Sequence, residues 1–310
     1  MTGTSYLRLN RLAWIGITTA AAFALLLSPV RAQQGFPNPE DAATALVTAV
    51  KAGTSKAMLK VLGRDAADII ESGDDVADAN ARERFLSAYD ARHSIKADGN
   101  KKAILILGPD DFPFPIPLVN NNDDWSFDTA AGRREILYRR IGRNELAAIQ
   151  TSLAYVDAQN EYAEKDRGEG VGTYAQRIVS RPGKTDGLFW RDDKDPSPLG
   201  ELAAQAAAEG YKVGEQAEPY HGYYYRILKA QGSDAPGGAL NYVVKGKMIG
   251  GFALVAWPAE YGNSGVMTFL VNHAGTVYQK DFGPRTDFLA KRMIVFDPDH
   301  TWKKVDPTNP

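Results

Sequence analysis

The segment Phe112-Pro-Phe-Pro-Ile-Pro-Leu118 restricts its own backbone more tightly than any other stretch of this 310-residue chain. Proline has no N–H, and alternate residues of a strand direct their N–H groups to the same side. Pro113, Pro115 and Pro117 therefore strip one side of donors, while Phe112, Phe114, Ile116 and Leu118 keep theirs for one neighbour. The segment reads as an open edge strand or a polyproline-II ribbon. Its natural antiparallel partner is Trp125-Ser-Phe-Asp128, which follows the polar turn 120–124.

The stretch before it has the period of helices. Pro37, Asn38 and Pro39 start a helix carrying Ala42, Leu46, Val47 and Val50, which Gly53 ends. Met58, Leu59 and Leu62 form a second short helix up to Gly63, residues 65–71 form a further turn, and 76–93 form a third helix with Phe85, Leu86 and Tyr89 as its stripe. Strands follow at 103–107, 112–119 and 125–127. In the second half, Asn144 is the expected N-cap of a long helix, with Glu145 in its first turn. Leu146, Ile149, Leu153 and Val156 share one face, joined by Tyr155 and Tyr162, and the helix ends by Asp166. After an irregular stretch and a short helix at 199–209, strands are expected at 222–228, 240–244, 248–257, 266–272 and 276–280, the last two joined by the turn 273–276. The pattern is α+β: N-terminal helices on a small antiparallel sheet, then a long helix packed on an antiparallel meander.

The first 32 residues read as an address. Arg8 and Arg11 precede an uncharged run at 12–27, and Val30-Arg31-Ala32 closes the stretch with a small residue, the layout of a secretory signal peptide cleaved after Ala32. The run falls short of the roughly 20 residues a spanning helix needs, and no later stretch is long and apolar enough. The 278 residues that remain suggest two domains, 33–140 and 141–310. Loss of three signal-peptide arginines leaves 33 basic against 38 acidic residues, so the exported chain is mildly acidic and expected in the periplasm or outside the cell. That balance offers no basic excess for nucleic acid. The absence of cysteine excludes disulfides, thiolate metal sites, a cysteine nucleophile and a lipoprotein anchor.

Short motifs carry little chemistry. His93, His221, His273 and His300 are dispersed without metal-ligand spacing, and no metal or cofactor is expected. His221 is the best-placed histidine for binding, read as a hydrogen-bonded turn residue rather than a general base. Asp166-Arg-Gly-Glu-Gly170 outlines a calcium loop, but Arg167 and Gly168 stand where further carboxylates belong. Gly183-Lys-Thr185 lacks the upstream glycine of a phosphate loop, and Gly262-Asn-Ser-Gly265 is one residue short of a nucleophile elbow. Aromatic residues are the stronger signal. Tyr223, Tyr224 and Tyr225 must place rings on both faces of a strand, while Trp257, Tyr261 and Asn263 surround a glycine-rich loop. Outward aromatics suit glycan or peptide surfaces. Asp110, Asp111 and Trp125 form a comparable patch in the first half.

Helices folded onto a small meander resemble the cone of nuclear-transport-factor-2-like and cystatin-like domains. The runs Arg140-Ile-Gly-Arg-Asn-Glu-Leu146, Ala154-Tyr-Val-Asp-Ala-Gln159, Tyr220-His-Gly-Tyr-Tyr-Tyr-Arg226 and 250–264 resemble the bacterial family called domain of unknown function 2950. That resemblance extends over the mature chain, Pro113-Phe-Pro-Ile-Pro117 included, and implies no particular activity. The second half is also similar to the globular part of type II secretion pseudopilins. Arg139, Arg140 and Arg143, however, stand where pseudopilins carry their apolar membrane segment.

These readings lead to a non-enzymatic, exported binding or assembly protein of the cell envelope, with an envelope protein or glycan as partner. Its contact surfaces would be the proline-blocked edge and the aromatic turns. An envelope hydrolase or isomerase using Asp110 or Asp111 as base is the alternative, decided by a pocket around Asp111, Trp125 and Tyr89. A calcium-stabilised pseudopilin-like adaptor is a third.

Overall fold

The computed structural model describes residues 33–192, 194–212 and 218–306, so the expected signal peptide lies outside the described residues. The first half opens with α1 (Pro39–Ala52), α2 (Ser55–Leu62), the single turn α3 (Ala67–Ile70) and α4 (Asp75–Ala91). Caps set the boundaries of the first two. The Asn38 side chain accepts from the Asp41 amide, and Gly53 takes a left-handed φ of 66° to end α1. The Thr54 side chain accepts from the Ala57 amide at the start of α2.

The helices pack on an antiparallel sheet of β1 (His93–Ala97), β2 (Lys102–Leu107), β3 (Phe112–Pro113), β4 (Leu118–Asn121) and β5 (Asp124–Phe127). The order is β1-β2-β4-β5, with β3 also pairing β2. Strand β1 falls where the third helix was expected to end. Asn122 and Asp123, both at positive φ, make the tight turn between β4 and β5.

The proline segment keeps the single-neighbour pairing expected of an edge and departs from expectation in what covers its other side. Strand β3 pairs with β2 alone, while β4 lies along β2 and pairs β5 as well. Its donors are used as expected where they remain, with the Phe114 amide reaching the Leu105 carbonyl at 2.7 Å. Its donor-poor stretch is covered by the next helix. A Cβ on Gly132 would lie 2.6 Å from the Pro115 carbonyl oxygen and 2.7 Å from Ile116, so only glycine admits this approach. Proline asks nothing of a hydrogen-bonding neighbour, which is why a helix can close over it.

That helix is α5 (Thr129–Ala163), 35 residues and about 52 Å long at 1.5 Å per residue. Asp128 is its N-cap, accepting from the Ala131 amide at 3.1 Å. Asn144, the expected N-cap, sits mid-helix, and its side chain instead donates to the Ser264 carbonyl at 2.9 Å. The charged run 133–145 contains no proline and continues the helical period through Ile136, Leu137, Ile141 and Ala148. Helix α5 thus runs through the expected division at residues 140 and 141. The apolar cores still separate on either side of it, one drawn from Phe36 to Leu137 and the other from Ala148 to Val305.

The second half packs the C-terminal part of α5 on a five-stranded antiparallel sheet. Helix α6 (Gly200–Ala208) precedes β6 (Tyr223–Leu228). Two short ribbons follow, β7 (Ala230–Gln231) with β8 (Leu240–Asn241), and β9 (Val243–Val244) with β10 (Lys247–Met248). Then come β11 (Ala253–Pro258), β12 (Met267–Asn272), β13 (Val277–Asp281), α7 (Thr286–Ala290) and β14 (Lys303–Lys304). The main sheet has the order β14-β13-β12-β11-β6. The chain is α+β in both halves. Among the described residues no helix is long and apolar enough to cross a membrane.

Candidate functional site

Helix α4 is the anomaly from which the site is built. Its seventeen residues include none that is fully buried, although Ala77, Ala81, Phe85 and Leu86 give it an apolar side. A helix with an apolar stripe normally buries it. Here that side borders a cleft of about 670 Å³, bounded also by α1, α2, α5 and the turn before β6. The buried lining, its inner end, is apolar: Val50, Met58, Leu62, Ile69 and Ile116 are each 9 % exposed or less, with Phe85 half-buried beside them. The outer end is polar, with Asp78, Arg82, Arg84, Arg140, Arg143 and His221.

A polar seam ties together the segments around the cleft. Asp74, 2 % exposed, caps α4 through the Ala77 amide at 2.9 Å. The same carboxylate accepts from the Tyr211 hydroxyl and the Gly222 amide, each at 2.8 Å. Burial and the adjacent Asp74 hold the Tyr211 phenol far above its ordinary pKa, so it stays a donor. Gly222 has φ 74°, and a Cβ there would meet Asn144 Nδ2 at 2.6 Å and Ser264 Cβ at 2.9 Å. On α5, Arg140 donates to the Asp68 and Ile69 carbonyls and to Asn263 Oδ1. The neighbouring Glu145 accepts from the Val266 and Met267 amides at 2.9 Å each. First-half residues, α5 and the 260–266 loop are thereby joined by hydrogen bonds whose partners lie 71 to 148 positions apart in the sequence.

Charges in the cleft fall into two kinds. Arg140 is held by the seam, and burial lowers its pKa against the pull of Asp78 and Asp68. Asp78 accepts from the Ser72 amide at 2.8 Å, and burial raises its carboxyl above the ordinary range despite that bond and Arg140. His221 lies 3.2 Å from Glu209 through Nε2. Arg82, Arg84 and Arg143 differ: none has a hydrogen-bonding or acidic partner among the described residues. Arg143 is further disfavoured as a cation by partial burial and by Arg84 and Arg139 nearby.

The residues singled out from sequence are dispersed. Asp110 and Asp111 sit in the exposed turn between β2 and β3, where Asp111 pairs with Arg92 at 3.2 Å. Trp125 is half-buried in β5, bridged to Phe36. Tyr89 stacks on His93 at 3.7 Å between ring centroids. None of these lines the cleft. Tyr223 is wholly buried, its hydroxyl donating to the Met267 carbonyl at 2.9 Å, and Trp257 is 6 % exposed, with its indole N–H on Asp287 at 3.2 Å. These two are not outward aromatics; both sheet faces are covered, so alternation carries neither ring to solvent. Tyr225 and Trp257, with Tyr220 and Tyr224, line a second, mainly apolar cavity of about 730 Å³. Tyr211 lines both cavities. Tyr261 meets Asp281 at 3.3 Å, and Asn263 belongs to the seam. Of the named residues, only His221 lines the cleft.

The Asp166 loop is arranged around its own backbone. Asp166 Oδ1 accepts from the Gly168 and Gly170 amides at 2.8 and 2.9 Å, which lowers its pKa. Arg167 turns inward, its guanidinium 4.5 Å from the Trp190 ring centroid and 3.0 Å from Asp195. Among the described residues no cluster of three or more His, Asp or Glu side chains is placed to hold a metal ion.

Sequence reading missed Asp74, Asp78, Arg82 and Arg84. The available signal was an arginine pair on a helix with a weak apolar stripe, next to the 139–143 arginines. Nothing local showed that the two would converge. No curated protein matches the chain, and no solved structure does. Residues 33–305 match the family described as Protein of unknown function (DUF2950), and with that span covering most of its length the chain belongs to this family.

Proposed function

We propose that the chain is an exported, non-enzymatic binding protein of the cell envelope whose ligand occupies the cleft beneath α4. The observation that carries this reading is the helix itself: seventeen residues, none fully buried, beside a cleft of about 670 Å³ at the meeting of both halves. A volume in that range suits a small molecule. Leaving apolar surface open costs stability at roughly 25 cal/mol per Å², and a ligand would recover it. Export is supported by the family match, which begins at residue 33, directly after the expected cut at Ala32.

Native mass spectrometry of the protein isolated from its own extracytoplasmic fraction tests the reading. The wild type should retain a small molecule, and Ala147→Trp, which fills the cleft from α5, should not. Equal absence from both would refute it. N-terminal sequencing of the same material should begin at Gln33.

The hydrolase or isomerase reading moves, if kept, from Asp110 and Asp111 to Asp78, the buried carboxylate in the cleft. Its support is weaker, because Asp78 is already bonded to the Ser72 amide. The cone-like description of the first half accords with a cavity between helices and sheet.

A further inference from the structure

Building on the reading of the cleft as a binding site, we propose that its ligand is a long-chain carboxylate, with the tail at the inner end and the head at Arg84 and Arg143. The two ends of the cleft differ in chemistry, and the difference selects the ligand. At the inner end Val50, Met58, Leu62, Ile69 and Ile116 offer no hydrogen-bonding side chain. A glycan would leave its hydroxyls unsatisfied there, at a cost of about 1–3 kcal/mol for each buried group. An alkyl chain loses nothing and removes apolar surface from water.

At the outer end the positive charges are unbalanced. Arg84 and Arg139 both act on Arg143 as like charges, and Arg139 is already paired with Glu135. Arg82, Arg84 and Arg143 have no acidic partner among the described residues. Of the acids lining the cleft, Asp78 accepts from the Ser72 amide and Glu209 pairs with His221, while Arg82 also borders a small cavity shared with Glu71, Asp75 and Glu260, which leaves Arg84 and Arg143 for a ligand. A cationic head would meet repulsion, and a neutral head would leave the arginines as they are. A carboxylate accepts from guanidinium groups in charge-assisted hydrogen bonds, the strong class of such contacts. Charge at one end only, with nothing polar at the other, fits one head and one tail.

Titration calorimetry with laurate, dodecanol and inorganic phosphate tests the assignment on the mature protein. Laurate should bind about tenfold or more tightly than dodecanol, the ratio expected for one charge-assisted hydrogen bond. Phosphate alone should bind far more weakly than laurate. The double variant Arg84→Gln/Arg143→Gln should lose that tenfold preference and leave dodecanol binding unchanged. Both side chains are exposed, and an unchanged melting temperature verifies that the variant folds. Arg84→Glu supplies an internal anion and should weaken laurate binding as well. Dodecanol binding equal to laurate, or laurate binding indifferent to both variants, would overturn the head assignment. Phosphate competing as well as laurate would overturn the tail. In each of those cases retention of another molecule by wild type but not by Ala147→Trp leaves the cleft as a binding site. Absence of every ligand, added or retained, refutes both.

Discussion

The central strands of the second-half sheet are buried along almost their whole length, β11 at every residue and β12 at all but the first. The first-half sheet alternates instead, with β2 burying only Ala103, Leu105 and Leu107. Helices repeat the contrast. The C-terminal part of α5 sends Ile149, Tyr155, Val156 and Tyr162 into a packed core, whereas α4 buries nothing completely. One half spends its apolar surface on stability, and the other keeps part of it accessible. Function is better sought in the half that is packed less well, because a site must leave room for what it binds.

Paired truncations should expose this contrast most strongly. Phe269→Ala, deep in the second-half core, should cost about 3–5 kcal/mol in urea unfolding. Phe85→Ala, half-buried on the cleft side of α4 against Phe114 and Tyr89, should cost clearly less, about 1–2 kcal/mol. Equal costs would mean that α4 is as tightly packed as the sheet, and the comparison would fail. The seam comes next in size. Arg140→Ala should cost about 2–3 kcal/mol, because it orphans the Asp68 and Ile69 carbonyls together with Asn263. Its expected signature is loss of cooperativity between the halves, read as two unfolding transitions where the wild type shows one.

Asp78 provides a smaller, pH-dependent test. Its carboxyl is raised by burial, so the folded state holds the proton more tightly than the unfolded chain does. The contribution is therefore fully present below the ordinary carboxylate range, near pH 4, and is lost as pH rises through the raised value. Asp78→Asn should be stabilised relative to wild type at neutral pH and show no such gain at acid pH in parallel thermal melts. The reverse trend would mean that Ser72 and Arg140 outweigh burial. The smallest effect belongs to the Asp166 loop, where a chelator should leave the melting temperature unchanged. A fall would revive the calcium reading, since that loop would then need more than its own amides.

Much of the fold was legible where local rules act alone. Asn38 and Gly53 bound the first helix by side-chain and backbone geometry available within four residues, and the 273–276 turn joins two antiparallel strands. Strand β1 was missed although Asp98-Gly99 is a hairpin signal, because the helical stripe of α4 seemed to run to His93. The helix start at Asp128 was missed because a charged stretch reads as a boundary until the surfaces on either side of it are known. At the site, His221 was found and its neighbours were not. Asp74 and Arg84 belong to α4 and its cap and Arg143 to α5, and no spacing along the chain links the two segments.

Periodicity, caps and proline chemistry settled the α+β class and the elements of both halves, since each depends on backbone geometry over a few residues. They also stated that Phe112 to Leu118 had one side without donors. They did not say what would lie there: β3 keeps its single strand partner, and a helix covers the other side. Gly132 brings α5 onto that side and continues as one helix into the second half. The same long helix carries Arg140 and Arg143 to face α4 and the loop before it. Whether a charge is paired, and whether an apolar side is covered, are relations between distant segments. Only packing in three dimensions makes three arginines without partners and an apolar pocket into two ends of one cleft.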